Sequence, residues 1–306
     1  MSNRQRKGRP INGILLLDKA SGISSNKALQ QVKHLYQAQK AGHTGSLDPL
    51  ASGMLPICLG EATKFSHYLL EADKCYQVKA KLGERTNTAD AEGEIIKTAP
   101  VEAYTFAEFE QFLNGFRGEL QQIPSMFSAL KHQGQPLYKL ARQGIEIERK
   151  ARTIQIHRLE LLSLTANTIE LKVTCSKGTY IRNLIDDIGE ALGCGAHVTM
   201  LRRLKVDNYS SEKMINFAEL QAIHAENEHA IDKLLLPIDT AIASWPALTV
   251  TEELAFYLKR GQAVFATQAS NSGWVRLIDQ QNEFIGIGEI DEYGKVSPRR
   301  LIHNNS

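Results

Sequence analysis

The sequence predicts an α+β fold that ends in a small, mostly β domain. Segments with hydrophobic residues at helical spacing are interspersed with segments of period two, which are typical of half-buried strands. Residues 246–306 contain one predicted helix and several short strands. The chain has 306 residues, 42% of them hydrophobic and 23% charged, which suits a large soluble domain plus a small one.

The first half of the chain is predicted to combine strands with short helices. Residues 13–17 and 54–59 are apolar runs typical of buried strands, and residues 76–82 alternate between apolar and polar side chains. A short helix is predicted over residues 62–69. A longer one is predicted where five side chains share one face: Ala28, Leu29, Val32, Leu35 and Tyr36.

The second half continues this pattern up to a boundary near Pro246. Aromatic residues at helical spacing over 106–116 predict a helix packed in the core. Thr179 is predicted to cap a helix that stops at Gly193. The remaining predicted elements are strands at 154–156 and 169–175, an acidic helical segment over 211–236, a helix over 252–259, and strands at 275–278, 284–290 and 296–302.

Two domains are therefore predicted, residues 1–245 and residues 246–306, and the first begins with a basic tail over residues 1–10. The net charge of +2 is unevenly distributed, because basic residues exceed acidic ones over residues 1–206 and acidic residues prevail over 207–240. A basic region of this size suits a polyanionic partner such as nucleic acid. A solvated surface with a chance excess is the alternative, and charge alone does not separate the two.

Composition argues against several classes of protein. No apolar run approaches the length of a membrane span, and the run at 14–17 is too short for a signal peptide, so we expect a cytoplasmic protein. The nine histidines lack ligand spacing, so no metal is predicted. The four cysteines are too far apart for a CxxC pair, which indicates neither a zinc site nor a disulfide framework: Cys58, Cys75, Cys175 and Cys194.

One carboxylate lies in an unusual setting. Asp48 belongs to the segment GHTGSLDPLASGML, residues 42–55, among three glycines, a proline and small hydroxyl residues. The proline after Asp48 disfavours a mid-helix position, and the glycines permit close approach of another molecule. Local pattern alone favours an Asx-turn or a helix cap. The alternative is an acid presented at a functional site.

Two further features could belong to the same site. Tyr76 opens a predicted strand on its apolar face, and Arg182 follows a predicted strand-to-helix junction, where it could pair with an acid. When each residue is considered alone, the pattern favours core aromatic residues at Tyr76 and Tyr180 and a surface charge at Arg182. His43 has no partners at triad spacing, and the glycine-rich loop lacks the GxxxxGK[ST] pattern of a P-loop.

Taken together, five segments resemble the TruB family, the bacterial tRNA pseudouridine-55 synthases. The resemblance extends from Gly13 to near the C-terminus, with one departure: Ala20 stands where the family's early Leu-Asp-Lys-Pro block has its proline. The segments are GHTGSLDPLASGMLPICLGEATKF, KCYQVKAKLGERTNTADAEG, QIPSMFSALKHQGQPLYKLARQG, CSKGTYIRNLIDDIGEALGCGAHV and LRRLKV.

The resemblance implies a chemistry and roles for particular residues. Asp48 would be the nucleophile in detaching uracil from ribose, Arg182 its partner, and Tyr76 the residue that stacks beneath the base and helps to manage its protons. Tyr180 and Leu201 would line the pocket. No redox step or group donor is needed, so no cofactor is implied. A base inside folded RNA is unreachable, so the nucleotide must be flipped out.

The resemblance also implies a substrate and an architecture. His43 would fill the space that the flipped nucleotide vacates in the tRNA loop. Residues 246–306 would form a PUA-like module that grips the acceptor stem, appended to a large mixed, mainly antiparallel sheet flanked by helices. We expect a stand-alone, monomeric enzyme that acts on uridine 55 in the T-loop without a guide RNA.

Two other functions compete with this prediction. One is an RNA-binding or RNA-folding protein whose catalysis is incidental. The other is an aspartyl phosphoryl-transfer enzyme that uses Asp48, although the sequence lacks the further acidic residues expected to hold magnesium.

Overall fold

A computed structural model describes residues 8–128, 130–266 and 272–303. Most of the predicted basic tail lies outside the described residues.

The helices are α1 (Ser25–Leu35), α2 (Ser66–Glu71), α3 (Phe106–Phe112), α4 (Leu137–Ala141), α5 (Ile181–Ala191), α6 (Phe217–Glu226) and α7 (Glu252–Lys259). The strands are β1 (Gly13–Lys19), β2 (Ala41–His43), β3 (Ser52–Leu59), β4 (Lys74–Leu82), β5 (Glu84–Thr86), β6 (Ile95–Thr98), β7 (Gly118–Gln122), β8 (Lys131–His132), β9 (Gln135–Pro136), β10 (Arg152–Leu164), β11 (Thr168–Cys175), β12 (Ala196–Val206), β13 (Ile215–Asn216), β14 (Ala247–Thr249), β15 (Val264–Phe265), β16 (Gly273–Ile278), β17 (Phe284–Ile290) and β18 (Lys295–Leu301).

The main sheet has nine strands, in the order β13-β1-β3-β12-β4-β11-β10-β7, with β2 paired to β3. Only β1 with β13 and β3 with β12 are parallel, and the other neighbours are antiparallel. The expected mixed, mainly antiparallel sheet with flanking helices is therefore confirmed. Its centre places β3, β12 and β4 side by side, so the loop before β3 lies beside strands that are distant in sequence.

Both faces of the main sheet are covered. On β1, Leu15 and Leu17 join the large core beneath the helices, whereas Ile14 and Leu16 enter a second core on the opposite face. This follows from the period-two geometry of a strand. Burial on both faces explains why β1 is a continuous apolar run rather than an alternating one.

A second sheet of five strands, in the order β14-β16-β17-β18-β15, forms the β-rich C-terminal part. It packs against the second core of the main sheet, where the Phe65 and Phe284 rings meet edge to face with centroids 5.4 Å apart. Trp245 lies at this junction, with its ring centroid 5.0 Å from that of Tyr68 and 5.5 Å from that of Trp274. The two sheets thus share a hydrophobic core.

Two predictions from hydrophobic spacing were wrong in part. The segment 211–236 is α-helical only over α6, because Asn227 ends the helix in an extended conformation and a short 3₁₀ turn, Ala230–Leu234, follows. In the aromatic stripe, Phe109 is buried, but Phe106 is 51% exposed because it is the first residue of α3. No helix in the described parts of the chain is both long and apolar enough to cross a membrane.

Candidate active site

The loop between β2 and β3 holds Asp48 through its backbone. Ser25, the first residue of α1, accepts a hydrogen bond from Leu47 N at 2.7 Å and donates one to Leu47 O at 2.9 Å. On the other side, Gly22 N donates to Pro49 O at 2.8 Å. The carbonyl of Asp48 itself accepts from Ala51 N at 3.1 Å. These bonds fix the backbone on both sides of Asp48 and leave its carboxylate available.

The Asp48 carboxylate pairs with Arg182. Arg182 Nε lies 2.9 Å from Asp48 Oδ2, and the side chains are 7% and 39% exposed, respectively. Arg182 is the second residue of α5, which follows directly from the strand-to-helix junction after β11. Among the described contacts the carboxylate accepts no backbone N–H, so it serves neither as a turn acceptor nor as a helix cap.

Arg182 is held on its other side by a second acid and two carbonyl groups. Its Nη1 atom lies 3.1 Å from Asp90 Oδ2 and donates to Thr88 O, also at 3.1 Å. Its Nη2 atom donates to Phe127 O at 2.9 Å. Asp90 is 3% exposed, and its Oδ1 atom accepts from the Thr88 hydroxyl at 2.6 Å. The guanidinium is therefore fixed in one orientation, with Nε directed at Asp48.

The electrostatics of Asp48 reflect opposing influences. Burial raises the pKa of the Asp48 carboxyl above its usual value, the Arg182 charge opposes the rise, and repulsion from Asp90 adds to it. Lys19 provides a further positive charge that favours the ionised form. Its ammonium group is buried and donates to Ala20 O at 2.8 Å and Ile23 O at 2.7 Å, and burial lowers its pKa to about 8.

A cleft of about 330 Å³ opens beside the carboxylate and is lined by Asp48, Tyr76, Tyr180, Arg182 and Leu201. The structure thus brings together five of the six residues singled out from the sequence. They come from the β2–β3 loop, β4, the start of α5 and β12, so the order of strands in the sheet creates the site. Burial raises the pKa of both tyrosines.

Tyr180 is positioned by a buried amide. Gln122 at the end of β7 accepts from Tyr180 N at 2.8 Å and donates to Tyr180 O at 3.1 Å. Tyr180 is the N-cap residue of α5, and no side chain caps that helix. The prediction that Thr179 caps it was wrong: the Thr179 hydroxyl donates instead to Ser176 O at 3.0 Å, which stabilises the turn before the helix.

His43 is the sixth predicted residue and does not line the cleft. It is the last residue of β2, next to the loop that carries Asp48. Its Nδ1 atom is buried and lacks a hydrogen-bond partner among the described residues. Burial lowers the pKa of the imidazole, and the Arg203 charge lowers it further, so the neutral form is favoured.

Four charged residues of the site escaped the reasoning from sequence: Lys19, Lys74, Asp90 and Arg203. Lys74 and Arg203 line the cleft, and Lys19 and Asp90 act on Asp48 and Arg182. In the sequence each resembles an ordinary surface charge. Only their burial distinguishes them from ordinary surface charges. That burial depends on which strands are neighbours in the sheet.

This arrangement suits a carboxylate that reacts directly with a bound molecule. One Asp48 oxygen is paired with a fixed cation, the side chain is partly open to the cleft, and an aromatic ring lies nearby. Within the described ranges, no group of three His, Cys, Asp or Glu side chains could hold a metal ion.

Solved structures share the overall fold. A chain in the crystal structure of a Cbf5-Nop10-Gar1 complex superposes with a TM-score of 0.73 at 24% identity, over 94% of this chain and 84% of that one. A chain in the structure of an H/ACA RNP bound to a substrate RNA containing 2'-deoxyuridine gives a TM-score of 0.72 at 22% identity, over 99% of this chain and 92% of that one. This likeness concerns the fold alone, and it extends over nearly the whole chain.

Sequence comparison defines the family. Residues 33–181 match the N-terminal domain of TruB family pseudouridylate synthase, residues 182–243 the C-terminal domain of tRNA pseudouridylate synthase B, and residues 246–302 the C-terminal region of pseudouridine synthase II TruB. The tRNA pseudouridine synthase B of Nitrosococcus oceani is 55% identical over 99% of this chain and 98% of its own length. The enzyme of the same name from Coxiella burnetii is 56% identical over 96% of both chains. The chain belongs to the TruB family of pseudouridylate synthases.

Proposed function

We propose that this protein converts uridine 55 in the T-loop of tRNA to pseudouridine, with Asp48 as the nucleophile. The observation that carries the proposal is the ion pair between Asp48 and Arg182 at the edge of a cleft that also contains Tyr76. Family membership supports the reaction class, and the names of the relatives supply the tRNA substrate.

The proposed reaction is an isomerisation that needs no external reactant. The C1′–N1 bond breaks, and its electron pair stays on the uracil while the Asp48 carboxylate stabilises or traps the sugar cation. The ring turns, C5 bonds to C1′, and Asp48 is released. The proton on C5 is then lost and N1 gains one. Arg182 keeps the carboxylate ionised and oriented throughout.

The other predicted residues receive roles that fit their positions. Tyr76 stacks beneath the flipped base and takes part in proton transfer, while Tyr180 and Leu201 line the pocket. His43, beside the cleft rather than in it, fills the space that the nucleotide vacates in the RNA. A neutral imidazole suits this task, because it can replace a base without introducing a charge.

We also propose a division of labour along the chain. Residues 1–245 perform the chemistry, and residues 246–306 act as a PUA-like module that contacts the acceptor stem. The enzyme works as a monomer in the cytoplasm and finds its target without a guide RNA. Because the two sheets share a core, the module is held rigidly relative to the cleft, which suits recognition of a rigid tRNA.

The test is incubation of the protein with unmodified tRNA in the presence of a chelator, followed by mapping of pseudouridine along the RNA. We expect modification at position 55 and at an equal level without chelator. A protein that only binds or folds RNA would bind tRNA without producing pseudouridine. An aspartyl phosphoryl-transfer enzyme would produce no pseudouridine, and Asp48 would accept a phosphoryl group only when a phosphate donor and a metal ion were added.

A further inference from the structure

Arg203 is a buried cation without an acidic partner. It is 1% exposed, and no carboxylate lies within ion-pair distance of it among the described residues. Its Nε atom donates to Met54 O at 2.7 Å, and its Nη2 atom donates to Gly45 O at 3.1 Å. Arg203 also lines the cleft, where its guanidinium lies within hydrogen-bonding range of the Tyr76 side chain.

Lys74 is a second buried cation with no acidic partner among the described residues. It is 7% exposed, and its ammonium group donates to Leu70 O at 2.7 Å and to Ala72 O at 2.5 Å. One of its three donors is left over, and in the described parts of the chain no acid lies within ion-pair distance. Lys74 lies two residues before Tyr76 on β4, and therefore on the same face of the sheet.

The two cations flank Tyr76. Tyr76 is in register with Arg203 across the pairing of β4 and β12. The opposite side of the cleft holds Asp48 and Arg182, where the negative charges of Asp48 and Asp90 are balanced by Arg182 and Lys19. The Tyr76 side thus has two positive charges, and no described carboxylate lies within ion-pair distance of either. Burial of an unpaired cation is unfavourable, so a compensating anion is expected during function.

The proposed reaction generates such an anion within the cleft. When the C1′–N1 bond breaks, the electron pair passes to N1, and the negative charge spreads over the uracil carbonyl oxygens. The detached ring must stay against Tyr76 while it turns. Water that would stabilise the charge is largely excluded, so fixed donors from the protein are effective there.

We propose that Arg203 and Lys74 form a cationic wall that stabilises the detached uracil anion between bond cleavage and reattachment through C5. This inference rests on the proposed function and adds a second centre of catalysis to it. Asp48 and Arg182 act on the sugar, and the cationic wall acts on the base. Collapse of C5 onto C1′ removes the charge, so the wall favours the intermediate over both substrate and product.

A phosphate of the RNA backbone is the competing anion. The burial of Arg203 and Lys74 argues against it, because a phosphodiester that is continuous with folded RNA on both sides reaches the mouth of a cleft more readily than its floor. The two possibilities differ in their kinetic effect. Loss of a phosphate contact weakens RNA binding, whereas loss of the cationic wall lowers the rate of the reaction within the enzyme–RNA complex.

The experiment compares Arg203→Gln and Lys74→Gln with wild type in single turnover at saturating enzyme, using two T-stem-loop RNAs with uridine or 5-fluorouridine at the target. Fluorine withdraws electrons and makes uracil a better leaving group, so its anion needs less stabilisation. Matched controls are Arg202→Gln and Lys79→Gln, neighbours on the same strands whose side chains are partly exposed and paired with Asp18 and Glu170. Loss of the starting nucleotide is measured after nuclease digestion.

We expect each cleft variant to react about 10²-fold more slowly than wild type with the uridine RNA, the usual effect of removing one donor to a developing anion. With 5-fluorouridine the loss should shrink to less than about tenfold, while RNA affinity stays unchanged. The control variants should match wild type on both RNAs. Lys74→Arg should restore much of the rate.

Three results would overturn the inference. Equal losses on both RNAs would assign Arg203 and Lys74 to positioning alone, and weaker RNA binding with an intact bound rate would assign them to phosphate. Rates near wild type would remove them from the chemistry altogether. Because Arg203 also holds Met54 and Gly45, each variant is checked by a melting curve, and Lys74→Gln decides the question if Arg203→Gln unfolds. A wild-type protein inactive on the uridine RNA would contradict the proposed function itself.

Discussion

Arg182 Nε lies 2.9 Å from Asp48 Oδ2, although the arginine is almost completely buried and the carboxylate is partly open to the cleft. The buried partner is fixed by Asp90 and two backbone carbonyl groups, so it cannot follow the carboxylate if the latter moves. Asp90 and Arg182 are therefore fixed in place, whereas the Asp48 side chain at the cleft retains freedom to move. Each of the first three predictions depends on this arrangement.

Asp48→Asn should abolish pseudouridine formation and leave tRNA binding intact, because it removes the negative charge with little change in size. Asparagine leaves Arg182 paired with Asp90, so the protein should still fold, and the loss of activity should not come from unfolding. The measurements are pseudouridine in a T-stem-loop RNA, RNA affinity and a melting curve. Turnover within about tenfold of wild type, or about 1.4 kcal/mol of barrier, would contradict the role of Asp48.

Activity should fall on the acid side at a higher pH than an ordinary aspartate would give. Burial raises the pKa of Asp48, so the ionised fraction declines as pH drops through that raised value. The free energy of unfolding changes in the opposite direction. Above the folded-state pKa of Asp48, the ionised carboxylate lowers the free energy of unfolding, and this loss disappears as the pH falls through that pKa. Single-turnover rates and melting curves across pH 4–8 separate the two, and a rate that stays flat to pH 4 would refute the prediction.

Asp90→Asn should reduce both stability and activity. The amide can keep the bonds at Oδ1, but it places an N–H group opposite Arg182 Nη1 and removes half of the compensation for a buried cation. Breaking a buried pair in this way costs about 3–5 kcal/mol. Asp18→Asn is the matched control, because its partner Arg202 is 33% exposed and such pairs contribute about 1 kcal/mol or less. Denaturant unfolding measures both, and equal losses would show that Asp90 is an ordinary ion-pair partner.

Ala20→Pro should raise the free energy of unfolding by about 0.4–1 kcal/mol, through lower entropy of the unfolded chain. Lys19 before it is in an extended strand, as the residue before a proline prefers, and Ala20 N donates no hydrogen bond to the described residues. Ala38→Pro is the control that should destabilise, since Ala38 N donates to Lys33 O at 3.0 Å. A lower melting temperature for Ala20→Pro would mean that its backbone angle does not suit proline.

Local spacing was sufficient to predict much of the fold. The strand at Tyr76 and the α7 helix were found because their side chains repeat with the period of the element they form. Thr179 shows the limit of this reasoning. A hydroxyl before a helix can accept a hydrogen bond from the first turn of the helix or donate one to a preceding carbonyl, and the turn before the helix determines which bond forms. The α6 segment was overextended because its acidic residues are equally compatible with helix and with 3₁₀ turn.

The candidate site was predicted for a different reason, and incompletely. Asp48 and Arg182 were singled out by their local settings, but their roles were assigned only because segments around them resemble a family, and no period in the sequence connects them. Asp90 and Arg203 were missed because their role depends on burial next to a strand from another part of the chain. Such contacts are decided by the order β3-β12-β4, which local sequence patterns do not encode.

The pair formed by Trp245 and Trp274 has a practical consequence. These are the two tryptophans of the chain, and both lie where the two sheets meet. All intrinsic tryptophan emission of the protein therefore originates from one place, at which Trp274 is 44% exposed to solvent. A change in the solvent access of this junction on RNA binding would alter the emission, so the native protein reports on the junction without an attached dye.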